Sequence, residues 1–162
     1  MYTVYGDSFT NTDLVNGNKF VQVEMNGDYL LRAVRTSLIM RYCSTVTLTN
    51  LQMKIYTNVA NAKGALLYTS TNSYTLSQIS TYTSAAREIY FEFDDVPLNG
   101  SMIYNFTLTG TATNLETYSD DNLQLLAWMK SYPYPQHRGG FSLLDTNLPK
   151  YPYELCLIGA EF

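Results

Sequence analysis

The sequence holds one histidine, His137, and two cysteines, Cys43 and Cys156. A single imidazole cannot build a histidine-based metal centre, and the two thiols are far apart in the chain. A serine triad would need His137 with Ser131 or Ser142, the nearest hydroxyls. Neither serine stands in a nucleophile elbow or beside an oxyanion-type glycine motif. His137 therefore reads as a solvated loop side chain that could pair with an acid. The adjacent carboxylates are Asp94-Asp95 and Asp120-Asp121. Neighbours along a strand point to opposite faces, so neither pair suits a two-carboxylate glycosidase. Both are expected at strand ends, as solvated turn residues. The alternative is a structural Ca²⁺ on Asp120, Asp121 and loop carbonyls, but no Asp-rich loop has ligand spacing. With no catalytic set, no metal set and no cofactor motif, the chain is expected not to be an enzyme.

Binding chemistry is better supplied. Trp128 is followed by Tyr132 and Tyr134, with Tyr151 and Tyr153 further on. Aromatic faces stack on sugar rings and anchor protein interfaces. The competing reading is packing: Trp128 in the core, with Tyr132 and Tyr134 bracing a loop stiffened by Tyr-Pro-Tyr-Pro. Trp128, Tyr132, Tyr134 and His137 together make the candidate binding surface.

Composition narrows the partners. Hydrophobic residues make up 46% of the 162, enough for one domain with a real core. Charged residues are only 15%, so the surface must be built largely from Ser, Thr, Asn, Gln and Tyr. The 15 tyrosines suit strands and half-wet contact surfaces. Net charge is −4, the wrong balance for a nucleic-acid binder, and Arg32, Arg35 and Arg41 read as separate surface or interface cations. The start, MYTVYGDSFTNTD, has neither a basic nor an apolar signal-peptide region. No apolar run approaches the ~18 residues needed to span a bilayer. Folding in a cytosol is the expectation, with Cys43 and Cys156 reduced and buried, a disulfide being the alternative. The sequons at Asn99 and Asn105 then carry no weight.

The elements that must position these residues are strands. Period-two alternation recurs, and no window of ten residues reads as an amphipathic helix. Strands are expected at 20–25, 29–35, 37–42, 51–58, 65–70, 87–94, 102–109, 123–128 and 153–159. Turns are expected at 26–28, at 62–64 and at Asn99-Gly100, and a helical turn near 76–79. In 51–56, Leu51, Met53 and Ile55 share one face, while Gln52, Lys54 and Tyr56 take the other. Residues 131–152 read as loop. Such a chain is an all-β, antiparallel two-sheet sandwich of jelly-roll or Greek-key topology. Residues 1–19 are set apart as an extended N-terminal arm, too polar to fold alone and expected to order against a neighbour. Residues 20–162 form the sandwich domain.

Several motifs then carry a resemblance. They are Leu-Leu-Tyr-Thr-Ser at 66–70, Tyr-Phe-Glu-Phe-Asp at 90–94, the hairpin Val-Pro-Leu-Asn-Gly-Ser-Met-Ile-Tyr-Asn-Phe-Thr-Leu-Thr-Gly at 96–110, the aromatic-Pro loop before Gly139-Gly140, and the closing strand at 153–159. Over residues 37–160 the chain resembles jelly-roll domains of tailed-phage virion proteins and accessory modules of bacterial surface proteins. The resemblance implies a non-enzymatic virion protein, foremost a capsid decoration or cement subunit. Its partners would be the major capsid protein or another virion protein and further copies of itself, with a trimer favoured. Neither nucleic acid nor membrane is implied. The alternative is a carbohydrate-binding module of a tail fibre or surface protein, using Trp128, Tyr132 and Tyr134.

Overall fold

The computed structural model describes residues 5–40, 46–79, 87–115, 125–130, 141–143 and 155–161. Its elements are β1 (Tyr5–Phe9), α1 (Asn11–Asn16), β2 (Phe20–Met25), β3 (Tyr29–Met40), β4 (Thr47–Val59), β5 (Ala62–Thr69), α2 (Leu76–Ile79), β6 (Arg87–Leu98), β7 (Ile103–Thr113), β8 (Leu125–Lys130), β9 (Phe141–Leu143) and β10 (Leu155–Glu161).

Two antiparallel sheets face each other. The first runs β6-β3-β8-β1, and β10 joins it alongside Tyr29–Thr36 of β3, on the edge that β8 occupies at Leu38–Met40. The second runs β5-β4-β7-β2, with β9 added beyond β2. Along the chain, β1, β3, β6 and β8 fall in the first sheet, and β2, β4, β5 and β7 in the second. That alternation and those neighbours make an all-β two-sheet sandwich compatible with a jelly roll.

The pleat explains the layers. Leu51, Met53 and Ile55 of β4 and Tyr104, Phe106 and Leu108 of β7 point inward from the second sheet, and all are buried. Ile89, Phe91 and Phe93 of β6 answer them from the first sheet. Each such side chain contributes about 2 kcal/mol of burial, and together they make one continuous core.

Three local features differ from the sequence expectation. The segment 29–35 and the described part of 37–42, as far as Met40, are one strand, β3. Its register shifts at Arg32 against both β6 and β10, so Leu31 before the bulge and Val34 after it both reach the core. Asp94-Asp95 is not at a strand end. It sits within β6 opposite that same bulge, where Asp95 takes φ 47° and its carboxylate accepts from Arg32 Nε at 3.2 Å. Arg35 pairs with Glu88 at 3.8 Å, and Arg41 lies outside the described residues. The β4–β5 turn is Ala60-Asn61 rather than 62–64. Both residues have positive φ, 50° and 63°, which matches the right-handed twist of a two-residue hairpin. Gly64 is instead inside β5, where a Cβ would run into Thr57 Oγ1.

The lead-in carries β1 and α1, and α1 orders on this chain's own second sheet rather than on a neighbour. Phe9 and Leu14 are fully buried. A six-residue helix is marginal by itself, but a capping box starts this one. Asp13 N donates to Thr10 Oγ1 at 3.1 Å, and Thr10 N donates back to Asp13 Oδ2 at 3.0 Å. Left-handed Gly17 ends it, and Asn18 N donates to Asp13 O. Leu14 then fixes the helix to the sheet.

Candidate functional site

Of the aromatic and loop residues singled out from sequence, Trp128 lies on β8, between strands β1 and β3. Only its strand position is described. Tyr132, Tyr134 and His137 lie outside the described residues, as do Asp120 and Asp121. Cys156 is a half-buried free thiol on β10, and Cys43 lies outside the described residues. Among the described residues no group of three or more His, Cys, Asp or Glu is placed to hold a metal ion.

The described surface with the most developed side-chain chemistry is the outer face of the second sheet. Register lays its outward side chains in rows: Gln22 beside Asn105 beside Tyr56, Phe20 beside Thr107 beside Lys54, and Thr109 beside Gln52. A period-two pattern makes this the solvated side of the sheet. It is not solvated, because Gln22, Asn105, Thr107 and Thr109 are all buried. Two covers lie over them, α1 with the residues after it and the tip of the β4–β5 hairpin. Thr107 Oγ1 donates to Lys19 O. Asn105 Nδ2 donates to Ala62 O at 3.1 Å, and Gln22 Nε2 donates to Asn61 O at 3.3 Å. Lys63 joins the covers to each other: its Nζ donates to Asn16 O at 2.6 Å and Gly17 O at 3.3 Å, at the C-terminal end of α1. The same ammonium stands 4.6 Å from the Tyr56 ring centroid. Burial, and then the nearby Lys54 charge, pull the Lys63 amine below its ordinary value. Burial pushes the Tyr56 phenol up.

Beside α1 the cover stops short and leaves a cavity of about 200 Å³. Val15 of α1, Asn50, Gln52 and Lys54 of β4, and Thr109 and Thr111 of β7 line it. A bulge shapes its end. Thr49 pairs with Thr111 and Gln52 with Thr109, so Asn50 and Leu51 together face Gly110 alone. Asn50 takes φ 54°. A Cβ on Gly110 would approach Thr49 O at 3.3 Å and Leu51 Cα at 3.4 Å, contacts tighter than most Cβ atoms make. The backbone of Leu51 is satisfied on its other side by Tyr74, at 2.9 and 3.0 Å.

A second surface is apolar. β5 is the edge strand of its sheet, paired with β4 alone among the described strands. Leu66 and Leu67 are 49% and 40% exposed, and Val59 across the hairpin is 61% exposed. The alternation in 51–56 placed Lys54 and Gln52 on one outward face. The bulge, the cavity and the α1 cover were not legible, because each depends on chain segments distant in sequence.

Compared with known proteins, the chain matches no family model, no curated protein and no solved structure.

Proposed function

We propose that this chain is a non-enzymatic structural protein of a tailed-phage virion, a decoration subunit that binds the outer capsid surface. The observation that carries the reading is the β5 edge. An edge strand that no other described strand pairs, with two exposed leucines and a neighbouring exposed valine, is an aggregation hazard unless another surface covers it. The segment 59–69 has one lysine and no acid, so apolar and backbone contacts would dominate its docking. The jelly-roll-compatible sandwich and the motif resemblance over residues 37–160 support the same reading.

The test is co-sedimentation with empty phage heads that lack the protein. Wild type should saturate a fixed number of sites. The double variant Leu66→Asp, Leu67→Asp should bind at least about tenfold more weakly, and its thermal unfolding, measured alongside, separates lost docking from lost fold because half or more of each side chain is covered. Equal binding by the variant, or no binding by wild type, would sink the proposal. Light scattering of the free protein adds the assembly state, for which a trimer is the expectation. The carbohydrate-binding alternative rests on Trp128, Tyr132 and Tyr134. A glycan array with Trp128→Ala and Tyr132→Ala tests it.

A further inference from the structure

The geometry points to the cavity beside α1 as a binding site for a single carboxylated sugar residue, a uronic-acid type of ligand. Four features of the cavity converge on that chemistry. Among the described residues its lining has one ammonium, Lys54, and no carboxylate, on a chain whose net charge is −4. Among the described residues Lys54 makes no ion pair, and its charge is felt at Lys63 across the same face. The fitting ligand is therefore an anion. The other polar liners are two hydroxyls, Thr109 and Thr111, and two carboxamides, Asn50 and Gln52. Hydroxyls and carboxamides donate and accept at once, which suits a polyhydroxylated ring better than a bare anion. Gln52 commits an amide hydrogen to Ser70 O at 3.3 Å, which orients the group and leaves its oxygen for a ligand.

The third feature is the wall. Val15 is 64% exposed on the helix yet borders this polar cavity. An aliphatic side chain there offers contact to the C–H face of a ring. The fourth is size and shape. The site is a groove open to solvent with a volume of about 200 Å³, below the roughly 300–1,000 Å³ of pockets that take drug-sized ligands, which suits one ring rather than a chain. The end is formed by a bulge at which Asn50 takes a left-handed φ of 54°, a conformation that asparagine adopts more readily than other non-glycine residues. The site's lining among the described residues includes neither Leu66 nor Leu67 of the β5 edge.

The experiment is a heteronuclear NMR titration of the full chain with glucuronate, glucose and acetate separately. Glucuronate should shift the amides of 50–54 and 109–111 and saturate at millimolar concentration. Glucose and acetate should each bind at least about tenfold more weakly. Lys54→Gln should raise the glucuronate Kd about tenfold or more, the loss expected for one charge-assisted hydrogen bond. Its thermal unfolding should stay unchanged. Val15→Ser should weaken glucuronate while leaving acetate unaffected. No saturable shift at those amides overturns the proposal, as does equal binding by Lys54→Gln. Acetate binding as tightly as glucuronate also overturns it, because the site would then take any carboxylate, such as an acidic side chain of a partner protein.

Discussion

Tyr104, Phe106 and Leu108 on one face of β7 and Asn105, Thr107 and Thr109 on the other are all buried, but different forces bury them. The first three meet the opposite sheet, and apolar area dominates that contact, with a hydrogen bond from Asn99 N to Tyr104 Oη at 2.8 Å beside it. The second three meet a thin cover, and directed hydrogen bonds to Lys19 O and Ala62 O hold part of it. Apolar packing is strong and hard to open. A polar layer nets about 1 kcal/mol per hydrogen bond, because water competes for the same groups. The inner layer therefore sets global stability. The outer layer shapes a surface, and it can bear a cavity without endangering the fold.

That contrast can be broken at four points. Phe106→Ala empties the middle of the inner layer and should cost about 4 kcal/mol, read from the denaturant midpoint at constant slope. Leu14→Ala removes the one fully buried anchor of α1 and should cost about 2 kcal/mol. Hydrogen exchange should then speed up in 10–19 and leave β6 and β4 protected, which separates loss of the cover from global unfolding. Lys63→Met keeps the aliphatic stem over Tyr56 but removes both hydrogen bonds to α1, and about 1 kcal/mol should go with them. Arg32→Ala removes the exposed pair with Asp95, whose side chains are 70% and 52% exposed. It should change stability by less than about 0.5 kcal/mol. If Lys63→Met proved as costly as Phe106→Ala, the distinction between the layers would fail.

The sandwich was legible because burial on one face of a strand writes period two directly into the sequence. Met53 and Phe106 fall where the alternation puts them. The outer cover was less legible for a physical reason. Asn105, Thr107 and Thr109 carry the same polar signature whether they face water or a polar cover. α1 has one buried residue in six, too few for a helical stripe. Its local signs are the Thr10-Asn11-Thr12-Asp13 spacing of a capping box and Gly17 at its end. The bulges at Arg32 and Asn50 depend on which strands meet there, and no alternation within one strand reveals them. The hairpin turn was displaced by two residues because Gly64 suggests a turn, whereas its small size serves a close approach to Thr57.

The central functional claim is that β5 is the docking edge. The most direct measurement is hydrogen–deuterium exchange of the protein free and bound to empty phage heads. The expected result is slowed exchange centred on residues 59–69, with β1 and β10 unchanged. Binding that leaves 59–69 unprotected, with the footprint on another strand, would contradict the claim.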